Sequence, residues 1–204
     1  MPNDPQKAPK TSSTVAKTRL RIIDAARTVF DEQGIEGATT RGIAEKAGCN
    51  EVTLFRHFES KQKLLVAVVE DTTDEFRSLC DSPSDLTGVL RDDIRKYVEV
   101  YNHSVERCEG MCRALIGESR RRPTLAKELI GDVLHPFHKS FVTYLNGQIT
   151  HGNVRGDCRP EAVAELLTAS IMGAALRRTS GLSKLSRNEW LDQIVESIAR
   201  SVQA

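Results

Sequence analysis

Hydrophobic residues recur at helical spacing along most of this chain. From Val15 onward, valine, isoleucine, phenylalanine and tyrosine never alternate with polar residues over the length of a strand. Glycine and proline fall mainly between the helical segments. We therefore expect an all-α protein of about nine helices. The predicted helices span about 15–33, 40–47, 51–57, 61–80, 85–107, 110–121, 124–150, 160–179 and 188–203.

Three of the first four predicted helices have a good N-cap residue, and two glycines are placed to end helices. Thr39, Asn50 and Ser60 precede helical segments, while Gly34 and Gly48 follow them. The second and third helices are too short to be stable alone, so they must pack on their neighbours. The pattern predicts a disordered basic tail over 1–14, a small helix-turn-helix domain over 15–60 and a larger helical domain over 61–204.

The spacing of small residues favours a helix-turn-helix for the small domain. Ala44 lets two helices approach closely, and Gly48, four residues later, suits a sharp turn with positive φ. The apolar inner faces are then supplied by Ile43, Ala47, Leu54 and Phe58. The outward faces remain available to a partner, and they carry Thr40, Arg41, Glu51, Val52, Thr53, Phe55, Arg56 and His57.

Charge is distributed unevenly along the chain. The formal net charge is only +1, which by itself argues against a nucleic-acid-binding protein. However, residues 1–63 contain 11 Lys/Arg against 8 Asp/Glu, whereas residues 64–204 contain 18 against 20. A basic front on a slightly acidic body suits a phosphate-binding domain joined to a domain with another role, although a basic tail is often only a solubilising one.

A longer pattern over residues 19–65 contains this turn. It comprises Thr39, Thr40, Ile43, Ala44, Ala47, Gly48, Thr53, Leu54, Phe55, His57, Phe58, Lys61 and Leu64. The pattern resembles the TetR family of one-component bacterial regulators. The resemblance implies a ligand-responsive transcriptional regulator that binds operator DNA as a homodimer, with repression as the commoner mode in the family.

The resemblance also implies roles for individual residues. Thr40 and Arg41 match positions that meet the DNA backbone or the nearest base, Glu51 to Thr53 match base-reading positions, and Phe55, His57 and Lys61 match phosphate contacts. Chemically, Glu51 could accept from a cytosine amino group, Val52 could touch a thymine methyl, and Arg56 could reach a guanine or a phosphate. The predicted DNA-binding residues are Thr40, Arg41, Asn50, Glu51, Val52, Thr53, Phe55, Arg56, His57 and Lys61.

Two residues depart from the expected pattern. The family usually has tyrosine where this chain has Phe55, so a phenol–phosphate hydrogen bond is missing. Gly42 is unexpected inside a short helix, where glycine costs about 1 kcal/mol relative to alanine. Both departures affect the set of DNA contacts rather than the resemblance itself.

The last two predicted helices offer a surface for dimerisation. The eighth is rich in small residues that permit close approach, and the ninth has an apolar stripe. In the resembled family these helices form a four-helix bundle between subunits, but both stripes could instead close the core of one chain. The predicted interface residues are Leu166, Ala169, Gly173, Leu176, Trp190, Leu191, Ile194, Val195 and Ile198.

A small-molecule inducer is expected to bind among the fourth to seventh helices. The predicted lining residues are aromatic or soft side chains, namely Tyr97, Tyr101, Met111, Phe137, Phe141 and Tyr144. The alternative for each is an ordinary core position, because aromatic residues at helical spacing usually pack inside.

Other function classes find little support in the residues. The chain contains no GxSxG, no GxGxxG after a strand, no P-loop and no HExxH, so we expect neither catalytic residues nor a cofactor. The five cysteines are expected to be free thiols; a metal or redox site at Cys108, Cys112 and His103 is the alternative. Lacking a signal peptide and a membrane span, the protein is expected to be cytoplasmic. The remaining alternative to a DNA-binding regulator is a helical adaptor protein that no longer binds DNA.

Overall fold

The structure, a computed structural model, describes residues 10–72, 78, 86–107, 109–118 and 123–204. Over these residues the fold is all-α, as predicted, and the only extended pairing is an isolated bridge between Val154 and Gln203. Nine helices lie in the described ranges and are numbered in chain order. They are α1 (Lys10–Gly37), α2 (Thr40–Lys46), α3 (Glu51–Phe58), α4 (Lys61–Thr72), α5 (Leu90–Arg107), α6 (Glu109–Glu118), α7 (Pro123–Thr150), α8 (Pro160–Thr179) and α9 (Arg187–Val202).

The chain divides into two compact units, Met1–Val68 and Val69–Ala204. The first contains α1, α2, α3 and most of α4, and the second contains α5 to α9. The functional division predicted at residues 60 and 61 stays a prediction.

Helix α1 begins at Lys10, five residues before the predicted start near Val15, and the disorder predicted for the tail stays a prediction. Pro9 is the last proline before this helix, and the Thr-Ser-Ser-Thr run contains no residue that breaks a helix once packing stabilises its C-terminal part. The rest of the predicted tail, 1–9, lies outside the described residues. At the other end, Gly34 leaves the helical region with φ 71° and ψ 175°, close to the predicted end.

Side-chain caps start both short helices of the first unit. The Thr39 hydroxyl accepts a hydrogen bond from the Gly42 N–H at 3.0 Å. The Asn50 Oδ1 accepts one from the Thr53 N–H at 2.8 Å. Between these helices the chain turns at Gly48, which has φ 64°. The caps satisfy N–H groups that no helical carbonyl can reach, so each helix starts at a fixed residue.

Burial holds these short helices in place. Ile43 in α2, Leu54 in α3 and Leu64 in α4 have no exposed surface, and Phe30 in α1 is equally buried. Burying one such side chain contributes about 1.5–3 kcal/mol. Helices of 7 and 8 residues, as α2 and α3 are, therefore depend on tertiary packing for their stability.

The second unit has one hydrophobic core, built from α5, α7, α8 and α9. An aromatic cluster lies within it. Tyr97 packs edge-on to Phe137 with ring centroids 5.7 Å apart, and Tyr101 lies 4.8 Å from the same ring. Phe141 and Tyr144 extend the cluster along α7.

A buried carboxylate fixes the start of α5. Asp93 is 1% exposed and accepts hydrogen bonds from the Thr87 N–H at 2.6 Å, the Gly88 N–H at 3.0 Å and the Tyr144 hydroxyl at 2.9 Å. Burial, reinforced by Asp93, raises the pKa of Tyr144 far above its ordinary value, so the phenol stays protonated and donates. Asp93 thereby joins the segment before α5 to α7.

Replacing Gly48 with alanine should destabilise the protein by about 1 kcal/mol, because an L side chain strains the left-handed backbone at φ 64°. Gly147→Ala is the matched control. Gly147 lies in helical α7, and a Cβ at either glycine meets no atom within 4 Å. This control should stabilise by about 0.5–1 kcal/mol. Urea unfolding followed by circular dichroism measures the free energy of unfolding of both variants. If both variants change it in the same direction, the left-handed conformation assigned to Gly48 is contradicted.

Candidate functional site

The two faces of α3 differ sharply in exposure. Val52 is 77% exposed and Phe55 41%, and Arg56 is exposed beside them. Leu54 and Phe58, on the opposite side, are 0% and 4% exposed. The helix therefore presents two apolar groups and one guanidinium outward, a combination that can meet the methyl groups, acceptors and phosphates of a DNA major groove.

A hydrogen bond between side chains joins the starts of α2 and α3. The Thr40 hydroxyl donates to the Glu51 Oε1 at 2.5 Å. Both residues are the first of their helices, and both are partly buried. One oxygen of the Glu51 carboxylate is thus held by Thr40, and the other remains available as an acceptor. The sequence placed both residues at the interface but did not pair them, since the pairing depends on how α2 packs against α3.

Asn50 and Thr53 also bond to each other. The Thr53 hydroxyl donates to Asn50 Oδ1 at 2.8 Å, the same oxygen that accepts the Thr53 N–H. The two side chains are therefore engaged in the cap of α3. Their predicted role in contacting DNA stays a prediction, and in the structure they fix where the exposed face of α3 begins.

The predicted cations lie at different positions around this face. Arg41 is exposed on α2 and pairs with Glu45 one turn later at 3.1 Å. Such an exposed pair contributes little to stability, so a phosphate can replace the carboxylate at small cost. Arg56 is exposed on α3, and Lys61 is half-buried at the first residue of α4.

Arg19 is a further cation beside α3 that the sequence did not single out for this site. Its guanidinium carbon lies 5.1 Å from the centroid of the Phe58 ring, although Arg19 belongs to α1. The basic front of the chain pointed to this residue only in general terms, because its position over Phe58 depends on the packing of α1 against α3.

His57 is half-buried at the end of α3. Burial lowers the pKa of His57 from its ordinary 6.5, and the nearby charges of Arg56 and Arg19 lower it further. The imidazole is consequently neutral at pH 7. As a neutral ring it can donate one hydrogen bond to a phosphate oxygen, and it gains a full positive charge only in acid.

Comparison with known proteins decides the family. Residues 22–68 match the family described as "Bacterial regulatory proteins, tetR family". Residues 84–198, more than half of the chain, match "Tetracyclin repressor-like, C-terminal domain". The chain belongs to the TetR family. It is a DNA-binding transcriptional regulator with an N-terminal helix-turn-helix, as the resemblance of the sequence implied.

Relatives of this TetR-family chain agree with that assignment. The HTH-type transcriptional regulator YvkB of Bacillus subtilis is 27% identical over 145 residues, which cover 67% of this chain and 76% of YvkB. A TetR-family regulator from Rhodococcus sp. shares the fold with a TM-score of 0.77 at 18% identity, over 93% of this chain and 100% of that one. FadR from Bacillus subtilis, solved in complex with stearoyl-CoA, has a TM-score of 0.72 at 15% identity, over 89% and 95% of the two chains.

The predicted dimer residues separate into two groups. Leu191, Ile194, Val195 and Ile198 are 0–8% exposed and belong to the core of the second unit. Their place at a dimer interface stays a prediction, although almost none of their surface remains for another chain to bury. Periodicity located an apolar face of α9 but could not show that the same chain covers it.

The α8 residues predicted at the interface are more accessible. Leu166 is 64% exposed and Ala169 is exposed, while Gly173 and Leu176 are half-exposed. Trp190, at the start of α9, is also half-exposed and packs partly against the core. These five residues stay predicted interface residues.

The predicted ligand residues are likewise divided by the structure. A cavity of about 660 Å³ lies in the second unit, along one face of α7, and Tyr97 and Tyr144 line it. Tyr101, Phe137 and Phe141 are 0–2% exposed in the aromatic core and are not among the residues lining this cavity. Met111 lies on α6, and its side chain is outside what the structure describes.

The alternative metal or redox site finds no geometric support in the described part of the chain. Within it, no group of three or more histidine, cysteine, aspartate or glutamate side chains is placed to hold a metal ion. Cys112 is half-buried, and Cys108 lies outside the described residues. None of the helices in the described ranges combines the length and the apolar character of a membrane span.

Operator affinity should rise as pH falls from about 7.5 to 5.5, by roughly threefold to tenfold, because DNA phosphates favour the cationic form of His57. Because the pKa of His57 in the free protein is lowered, the rise should level off only below pH 6.5, the ordinary histidine value. Fluorescence anisotropy with a labelled duplex measures it. His57→Gln is the control, since glutamine cannot titrate. If the pH dependence of the variant equals that of the parent, His57 makes no phosphate contact.

Proposed function

We propose that this TetR-family protein is a repressor that binds a palindromic operator as a homodimer and is released by a small-molecule inducer. The observation that carries the proposal is the exposed face of α3. Val52 exposes 77% of an apolar side chain, and Arg56 beside it is exposed as well. In a DNA major groove both side chains can contact base edges.

The division of roles on DNA follows from exposure and from the hydrogen bonds already made. Val52 and Arg56 have free faces and read base edges, a thymine methyl and a guanine respectively. Glu51, oriented by Thr40, uses its second oxygen to accept from a cytosine amino group. Phe55 contributes apolar contact alone, since it lacks the phenol hydroxyl that is usual in the family.

Phosphate contacts fix the register of the helix on the duplex. Arg41 exchanges its exposed partner Glu45 for a phosphate. Lys61 adds its charge to the free N–H groups at the start of α4, which favours an anion there. Asn50 and Thr53 hold the first turn of α3 while these contacts form.

Dimerisation uses the outward stripe of α8. Leu166, Ala169, Gly173 and Leu176 recur at three- and four-residue spacing and therefore lie on one face. The small residues allow a second copy to approach closely, and the exposed leucine gains burial. A twofold dimer presents two copies of α3, which requires a palindrome with half-sites about one helical turn of DNA apart.

Release by a ligand is a population shift. A ligand that binds the second unit more tightly in one conformation favours that conformation, and a coupling of about 1–3 kcal/mol weakens operator binding roughly 5- to 150-fold. The cavity along α7 supports a ligand site, and FadR, which shares the fold, was solved with stearoyl-CoA. Repression is the commoner mode in the family.

Replacing Arg56 with alanine should weaken operator binding by about tenfold or more, because a bidentate contact with guanine contributes about 1–3 kcal/mol. Arg41→Ala should instead weaken binding to all sequences and reduce the salt slope by about 1.8, because each of the two subunits loses one phosphate contact. Selection from sheared genomic DNA supplies the operator, and anisotropy at several salt concentrations measures both quantities. Lys127→Ala, an exposed cation of α7, is the control. If all three variants match the parent, α3 and α2 do not contact DNA.

Leu166→Glu should convert the dimer to a monomer and lower operator affinity, because a charged side chain would be buried in the interface. Leu166 is 64% exposed in one chain, so its own unit should fold normally. Leu182→Glu is the matched control, since that leucine is 66% exposed in the segment between α8 and α9. Sedimentation equilibrium measures the assembly. A dimer that survives Leu166→Glu, or a monomeric parent, contradicts the proposed interface.

A further inference from the structure

One face of α7 forms most of the wall of the 660 Å³ cavity. Its lining positions run from His135 to Gln148 at three- and four-residue spacing, with His151 just beyond the helix and Tyr97 of α5 beside them. A cavity of this volume lies within the usual range of small-molecule sites. The described lining residues all belong to the second unit.

The charge around this cavity has one sign. Three of its described lining residues are basic, namely His135, Lys139 and His151, and none of its described lining residues is acidic. Asp93, which the lining residue Tyr144 contacts, is buried and already accepts the hydrogen bond of that phenol. The rim of the cavity therefore attracts an anion and offers a cationic ligand no counter-charge.

Lys139 differs in its charge balance from Arg95, which lines a second described cavity. That cavity, of about 530 Å³, lies between α5 and α9, and its Arg95 pairs with Asp192 at 2.7 Å and with Glu99 at 3.8 Å. Lys139 has no ion-pair partner among the described residues. Its ammonium group is thus available to a ligand, whereas the charge of Arg95 is already balanced.

Aromatic rings form part of the cavity wall. The rings of Tyr97 and Tyr144 lie beside it, 5.6 Å apart between centroids. Further along α7, Gly147 leaves space, since a Cβ built there meets no atom within 4 Å. Lys139 and Gly147 are eight residues apart, which corresponds to about 12 Å along a helix. A basic end, an aromatic wall and an open far end suit an elongated ligand with one charged head.

We propose that this cavity binds a small organic carboxylate with an apolar body. The carboxylate is held by Lys139 and His135, which are one helical turn apart, and the body lies along Tyr97 and Tyr144 towards Gly147. This inference rests on the proposed function, of which it names the ligand class. It concerns binding, so it can fail or succeed separately from control of the operator.

Calorimetry on the full-length protein tests the ligand class. The probes are octanoate, octan-1-ol and octylamine, which share an eight-carbon chain but carry a negative, a neutral and a positive head, together with 4-phenylbutanoate as an aromatic carboxylate. We expect at least one carboxylate to bind about tenfold or more tightly than the alcohol, and the amine to bind most weakly. Absence of binding by both carboxylates, or equal binding by octanoate, octanol and octylamine, overturns the assignment.

Three variants locate the site. Lys139→Gln should weaken carboxylate binding about tenfold and leave the alcohol unaffected, while Lys127→Gln, a change of the same kind on an exposed residue of the same helix, should alter neither. Gly147→Leu should fill the open end and abolish binding without unfolding α7, since leucine favours helix more than glycine does. Thermal unfolding confirms that the variants fold. Unchanged affinity in both Lys139→Gln and Gly147→Leu overturns the location.

Operator binding with and without the carboxylate separates this inference from the proposed function. Carboxylate binding at the cavity that leaves operator affinity unchanged supports the site and contradicts its role as an inducer site. If a cationic or neutral compound releases the operator and the protein does not bind the carboxylates, the proposed function is supported and the ligand class is overturned. If the carboxylate weakens operator binding and Lys139→Gln abolishes this effect, both the ligand class and the proposed function are supported.

Discussion

The burial of Leu54 and Phe58 is the constraint on which the DNA-binding surface depends. A helix of eight residues is not stable by itself in water, so α3 exists only while its inner face is packed. The helical period then determines what remains outside. With Leu54 and Phe58 inward, Val52, Phe55 and Arg56 must face away from the core. The same packing that stabilises α3 therefore selects the side chains that it presents.

Polar contacts give this surface its rigidity. The bond from Thr40 to Glu51 joins α2 to α3, and the cap formed by Asn50 and Thr53 fixes the first turn. Side chains that are already ordered in the free protein lose little conformational entropy when DNA binds, because that entropy is lost during folding. In the proposed complex with DNA, Glu51 would therefore meet a base in one orientation. A carboxylate held in one orientation also repels the phosphates of a duplex bound in the wrong register.

In the second unit, helices with similar apolar stripes differ in how much of the stripe the same chain buries. The apolar face of α9 is covered by its own chain, whereas that of α8 keeps Leu166 exposed. Aromatic residues of α5 and α7 divide in the same way. Phe137 is closed into the core, Tyr97 borders the cavity although it is only 1% exposed, and Tyr144 is partly exposed at the cavity wall. A buried Asp93 accepts the hydrogen bond of the Tyr144 hydroxyl, so the ring, rather than the phenol oxygen, is the part of Tyr144 that the proposed ligand would contact.

The sequence by itself determined the all-α class, the position of the helix-turn-helix and the family, because these depend on local properties. Caps such as Asn50, turns such as Gly48 and apolar periodicity act within a few residues of the chain. Only the tertiary structure decided that Thr40 bonds to Glu51, that Arg19 lies over Phe58 and that the apolar face of α9 is core. Each of these depends on which helices meet, and the pattern of one helix does not specify the surface that covers it.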